Sequence, residues 1–382
     1  YPGGTPKRLT SNDFTEAQPA WSPDGNSIVY TTWQPNGGHL YKINLTAKTN
    51  AVTQLTKEAG LYQNPVYNIA GDRVVFIKSQ AQRYKDAYGP SYDGSEDDLC
   101  WINNNGGDIM MIDKTRGRYN PHFCKKDTDR IYMNTYGNLI SMKWDGTDQK
   151  MIANITGITT FGMMNYKNGR PDPKSFHCIM NDESVEAQEM NLPSAAGQIN
   201  ISPEGGRAFA QINNEIYVMT LPVTGKTLDL NMADAASASF PARELTELGG
   251  EFPFWQSDGK TVHWSLGNAH FTYDVDKAQF FEDSVKDAKK AEDKRIEDST
   301  NLINADSVLK KAADSLKKIK DSIQAKDTTI KKDVKKEEPT YKAAENQVKV
   351  YFKKDMPQGA ILLKNARIIT MKGEEVFERG DI

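Results

Sequence analysis

The side chains best suited to chemistry are thinly spread along this chain. Its five histidines, His39, His122, His177, His263 and His270, include no His-x-His pair and no His-Glu-x-x-His signature. Metal-assisted hydrolysis needs imidazoles and carboxylates converging on one ion, which then lowers the pKa of a bound water. Scattered single histidines do not supply that set. His263 and His270 also lie in strand-like runs, where packing or hydrogen bonding is the expected role. Cys100, Cys124 and Cys178 form no Cys-x-x-Cys pair and are odd in number, so buried free thiols are expected rather than a zinc site or a disulfide framework. No Gly-x-Ser-x-Gly elbow presents a nucleophilic serine. "NNNGGD" (103–108) reads as a hairpin turn, not a phosphate loop. The acidic loop "YDGSEDD" (92–98) lacks the spaced oxygen ligands of a calcium loop and reads as a solvated one. No catalytic residue, metal ligand or cofactor is assigned within the chain.

The elements that would have to position any site are more legible. At 382 residues the chain exceeds the ~250–300 at which single cores split, so more than one unit is expected. A net charge of −3 gives no nucleic-acid footprint and no general attraction to anionic lipid. No apolar run approaches the ~18 residues of a membrane span. Tyr1 stands where a start methionine would, so an upstream segment is expected.

A repeat runs through residues 1–275. "PAWSPDGNSIVY" from Pro19, "PVYNIAGDRVVF" from Pro65, "PHFCKKDTDRIY" from Pro121, "INISPEGGRAFA" from Ile199 and "PFWQSDGKTVHW" from Pro253 each give a short strand, a polar turn and a second strand. Asp24-Gly25 and Asp258-Gly259 are tight-turn signals. Third strands are expected at "HLYKIN" (from His39), "DIMMID" (Asp108), "NLISMK" (Asn138), "EIYVMT" (Glu215) and "HFTYDV" (His270). Fourth strands are expected at "VTQLT" (ending at Thr56) and "ARELT" (ending at Thr246). Four short strands per unit, recurring every 46 to 78 residues, predict an all-β fold: a β-propeller of four-stranded blades with at least five blade starts. The longest interval implies an insertion around "NGRPDPKS", and "PKRLT", ending at Thr10, reads as the tail of an earlier blade. At least six blades are thus expected in the parent protein, and a chain without all of them would leave open sheet edges.

In such a ring the residue before each innermost strand faces the mouth of the central channel. Those residues are Gln18, Asn64, Asn120 and Phe252, each followed by proline, with Tyr62, Tyr119 and Glu251 beside them. Converging amides and aromatics would suit a peptide or a sugar. The plainer expectation is that the prolines set the turn and the amides cap backbone groups.

Residues 276–345 change character: glycine disappears, and Lys, Asp, Glu and Ala dominate. Leu302, Ala305, Leu309, Ala312, Leu316, Ile319 and Ile323 follow helical spacing. A charged helical insertion is expected, solvated and partly disordered rather than a coiled coil. From residue 346 strand character returns, ending in "AILLKNARIITM" and "EEVFERGDI".

Two resemblances follow. The "WSPDG" and "QSDG" units resemble the repeats of TolB-like (PD40-type) propellers, found also in prolyl oligopeptidase-type serine peptidases. Ala360–Ile382, with "KNARIIT" and "GDI", resembles the opening of amidohydrolase-superfamily enzymes, where such a segment begins a composite β-sandwich. The second resemblance implies a (β/α)₈ barrel downstream, holding a divalent metal, zinc foremost, and a His-x-His motif. Together they imply that the chain is the non-catalytic propeller portion of a metal-dependent hydrolase of amide, peptide or cyclic C–N bonds. Its partners would be its own downstream hydrolase domain and a peptide or small-molecule substrate, in a bacterial periplasm or outside the cell. A TolB-like periplasmic protein-binding module and the propeller of a serine peptidase are the alternatives.

Overall fold

The structure is a computed structural model. It describes residues 7–34, 36–46, 51–86, 94–158, 166–167, 170–171, 193–305, 314–317, 339–351 and 359–382. Five antiparallel blades follow one another along the chain. The first is built from Thr15–Trp21, Ser27–Trp33, Leu40–Asn44 and Ala51–Gln54, and the second from Leu61–Tyr67, Arg73–Ser79, Asp98–Asn103 and Met110–Lys114. The third comprises Tyr119–His122, Arg130–Thr135, Asn138–Lys143 and Lys150–Gly157. The fourth comprises Gln198–Ile201, Arg207–Ile212, Glu215–Thr220 and Ala242–Glu244. The fifth comprises Glu251–Trp255, Thr261–Leu266, Ala269–Asp274 and Ala344–Gln347. The all-β propeller of four-stranded blades read from the repeat is therefore the observed fold.

The second strands of blades 2, 3 and 4 are buried on both faces, because period-2 alternation sends one set of side chains to the preceding blade and the other to the following one. Val29, with Leu40, packs against Val74 and Phe76 of blade 2. Val75 and Ile77 of blade 2 meet Ile131 and Met133 of blade 3. Tyr132 of blade 3 meets Ala208 and Ala210 of blade 4, and Phe209 meets Val262 and Trp264 of blade 5. Polar links reinforce three of these seams: Thr31 Oγ1 donates to Tyr62 O (2.6 Å), Asn134 Nδ2 to Ile199 O (2.6 Å) and Gln211 Nε2 to Gly250 O (2.7 Å). At the outer edge, Leu228–Asn231 pairs in parallel with Lys150–Gly157, latching blades 3 and 4.

Three strand assignments differ from the sequence reading. "DIMMID" is the fourth strand of blade 2, not the third, because Asp98–Asn103 takes the inner place beside Arg73–Ser79. Asp98–Asn103 follows a long polar connection, so its repeat spacing is broken. The propeller also continues past residue 275: Ala344–Gln347 pairs with Ala269–Thr272, so the charged stretch is an excursion between the third and fourth strands of blade 5. It opens with the helix Val275–Ala305, whose first turns are held to the blades. Ala278 is fully buried, Arg207 pairs with Asp276 (2.7 Å) and Arg243 with Glu282 (2.8 Å). Of the expected apolar stripe, Leu309, Ala312, Ile319 and Ile323 lie outside the described residues, as does most of the insertion around "NGRPDPKS". Arg8–Thr10 are irregular rather than a strand.

Lys349–Ile382 belongs to a second compact unit. There Ala366–Ile369 and Val376–Gly380 pair antiparallel, and Leu363 and Ile382 exchange backbone hydrogen bonds.

Candidate functional site

The innermost strands share a local distortion. Gln18, Asn64, Asn120 and Phe252 have φ of 50°, 50°, 54° and 53°, in the left-handed region. Each precedes a proline, and the pairing register slips there, between Ala17 and Ala20, Gln63 and Val66, Tyr119 and His122, and Glu251 and Phe254. Proline has no N–H to offer the ladder, so a bulge at this point leaves no ladder donor unmet. Left-handed backbone is disfavoured for residues with a Cβ and best tolerated by Asn, which fits Asn64 and Asn120 but leaves Gln18 and Phe252 strained. Blade 4 differs: Gln198 precedes Ile199 where the others have proline, and the register runs unbroken.

The first strands of blades 1 and 2, 2 and 3, and 3 and 4 touch in turn, so these positions line one inner rim. On blades 3 and 4 the rim amides are tied together. Asn120 Nδ2 donates to Asn134 Oδ1 (2.8 Å) and Asn200 Oδ1 (2.7 Å). Gln198 Nε2 also donates to Asn200 Oδ1 (3.0 Å), and Trp255 Nε1 to Asn200 O (3.0 Å). Beneath them His122 is buried, with Nδ1–H donating to Asn120 O (2.9 Å) and Nε2 accepting from Ile201 N–H (3.1 Å). Both ring nitrogens are used by the neutral tautomer, and burial pushes the His122 pKa down to about 4.

On blades 1, 2 and 5 the rim groups are less fully used. Gln18 Oε1 accepts from the Asn64 N–H (2.8 Å), but its Nε2 has no partner among the described residues. Among the described residues the Asn64 carboxamide makes no hydrogen bond and the exposed Glu251 carboxylate has no cation beside it. Phe252 is 79% exposed. Tyr119 stands at the rim, its hydroxyl donating to Gly197 O (2.9 Å) and its pKa pushed to about 12 by burial. Tyr62 does not: it is fully buried against Phe76, and its hydroxyl donates to Glu58 O (2.7 Å). The sequence reading missed Asn134, Gln198, Asn200 and His122 as parts of this network. Gln198 was detectable by aligning the fourth copy on its turn, Ser202–Gly205, rather than on a proline it lacks.

The acidic loop contributes a polar hollow of about 240 Å³ at the edge of blade 2, lined in part by Glu58, Lys78, Asp98 and Lys114. Two of its four carboxylates are paired with lysines, Glu58 with Lys78 (3.2 Å) and Asp98 with Lys114 (2.6 Å), and Glu96 and Asp97 leave it acidic. Among the described residues no group of three His, Cys, Asp or Glu side chains could hold a metal ion, and no helix is long and apolar enough to cross a membrane.

No family model and no curated protein matches the chain. Several solved structures are similar to it. TolB from Acinetobacter baumannii aligns at 12% identity and a TM-score of 0.45, over 72% of this chain and 55% of that one. Hydrazine synthase from Kuenenia stuttgartiensis aligns at 14% identity and a TM-score of 0.43, over 70% and 38%. A prolyl endopeptidase aligns at 14% identity and a TM-score of 0.37, over 69% and 33%. The chain thus spans about half the length of the TolB it matches and a third or so of the two larger enzymes.

Proposed function

We propose that this chain is a non-catalytic binding propeller that receives a peptide ligand at its inner rim and orients it for a metal-dependent amidohydrolase domain of the same protein. The observation that carries the binding role is the asymmetry of the rim. Four inner strands hold a strained, left-handed residue, yet only on blades 3 and 4 are the rim amides bonded to one another. Gln18 Nε2, the Asn64 carboxamide and the Glu251 carboxylate remain to meet the N–H and C=O groups of an extended peptide. The hydrolase role is supported by the resemblance of Ala360–Ile382 to amidohydrolase openings. In that setting the protein would work in the periplasm or outside the cell. The same rim would equally serve a TolB-like docking module with no hydrolase attached.

Titration of ¹⁵N-labelled chain with N-acetylated dipeptide amides, to about 10 mM, tests the binding role. Shifts of the Gln18 and Asn64 side-chain amides that vanish in Asn64→Leu are expected. Shifts confined to other residues, or none, would overturn it. The hydrolase role predicts that the complete gene product loses peptide hydrolysis on chelation and regains it with zinc.

A further inference from the structure

The histidines are scattered in the sequence, but the hairpin of blade 5 brings two of them together. On Thr261–Leu266, Val262 and Trp264 pack towards blade 4, so His263 and Ser265, which alternate with them, lie on the opposite face. The residues across from them on Ala269–Asp274 are Thr272 and His270. His263 Nδ1 stands 3.2 Å from His270 Nε2 and 3.4 Å from Thr272 Oγ1. Two imidazole nitrogens on one tetrahedral ion, each roughly 2.0–2.1 Å from it, lie about 3.3 Å apart.

His263 is fixed from the side away from His270. Its Nε2 meets Gln256 Oε1 at 3.0 Å. The Gln256 amide is oriented independently, because its Nε2 donates to Asp258 Oδ2 (3.1 Å). Asp258 is itself anchored by the N–H groups of Lys260 and Thr261 and by the Thr261 hydroxyl. The glutamine oxygen therefore accepts from His263 Nε2–H. Phe254 lies flat on the same ring, with centroids 4.8 Å apart and planes within 8°. An imidazole whose outer N–H is held by an oxygen, leaving the other nitrogen to face inward, is oriented as metal-ligating histidines are. His270 has no hydrogen-bond partner other than His263 among the described residues, so its ring can turn a lone pair onto an ion.

We propose that His263 and His270 form a two-histidine clip for a divalent late first-row transition metal: copper, nickel or zinc. Imidazole suits these ions, whereas magnesium and calcium take oxygen ligands. Water fills the remaining positions, and Thr272 Oγ1 is placed to hold one such water. Gln256 is a positioning residue, acting through its hold on His263. Among the described residues no third imidazole, thiolate or carboxylate joins the pair, so the ion exchanges with solvent rather than forming a closed structural centre. One hydrogen lies between the two facing nitrogens in the free pair; the ion takes its place, so binding weakens as pH falls.

Copper(II) chloride added in small steps to ¹⁵N-labelled residues 1–382 near neutral pH tests this, because the paramagnetic ion broadens the amide signals nearest to it. The Ser265, His270 and Thr272 signals should be lost first, before those around His39. Zinc or nickel chloride, but not magnesium chloride, should displace the copper and restore them. Gln256→Ala should need about tenfold more copper for the same loss, and Gln256→Glu, which still accepts from His263, should recover the sensitivity. His270→Gln should need at least about tenfold more as well. Broadening centred on other residues, none by about 1 mM copper, or equal sensitivity in His270→Gln overturns the proposal. The mapping on the unaltered chain decides the matter even if a variant fails to fold.

Discussion

His122 and Phe252 show how single residues at the inner rim act in opposite directions on stability. His122 joins blades 3 and 4 only while neutral, since protonated Nε2 cannot accept from Ile201 N–H. Its folded-state pKa, about 4, lies below the 6.5 of an unfolded histidine, so the unfolded state binds the extra proton first. The stability it contributes is whole above pH 6.5 and is lost as pH falls towards 4, a change of about 3 kcal/mol at most. Urea midpoints from pH 7 to 4 should fall accordingly, and more shallowly in His122→Gln. Phe252, by contrast, combines a left-handed backbone with a ring left largely in water. Phe252→Asn should raise stability by roughly 1 kcal/mol, because Asn tolerates that conformation. If the rim binds peptide as proposed, the same variant should bind it more weakly; equal or lower melting temperature would show that the ring is structurally required.

At the scale of elements, blades depend on close backbone approach at their joints. Gly38 and Gly60 exchange backbone hydrogen bonds where blade 1 hands over to blade 2. A Cβ on Gly38 would stand 1.5 Å from Thr32 O, so no side chain fits without moving the strand. Gly38→Ala should cost about 3 kcal/mol or more. Gly25 sits in the Ser22–Ser27 turn at a φ of 71° with open space around it, so Gly25→Ala should cost only about 1 kcal/mol, a contrast that thermal melts would resolve. The long helix poses a different question. Its anchoring lies in Asp276, Ala278 and Glu282, and its later side chains up to Asp298 are exposed. Replacing residues 292–335 with a Gly/Ser linker of about ten residues should leave the melting temperature within a few degrees, since loop length costs little. Removing Ala344–Gln347 as well should lower it clearly, by stripping the edge from Ala269–Asp274.

For the molecule as a whole, the blade repeat was legible from sequence because each blade is a local unit: apolar strand, Asp-Gly or similar turn, apolar strand. Alternation with period 2 specified which side chains are buried, and Gly25 and Gly259 do adopt the positive φ that their turns require. The left-handed bulges at Gln18, Asn64, Asn120 and Phe252 have a local mark as well, the proline that follows each. What sequence could not specify is every pairing across large separations. That Ala344–Gln347 returns to blade 5 after about seventy intervening residues depends on a vacant sheet edge, and a vacancy has no local signal. That Tyr62 turns into the core, while Tyr119 three residues before His122 stays at the rim, depends on the neighbouring blade's shape. The division of the rim into braced and free amides likewise required Asn120, Asn134 and Asn200 to be brought together from two blades. Local hydrogen bonding and periodicity write themselves into a sequence; the partners that satisfy a given amide are chosen only when the blades pack.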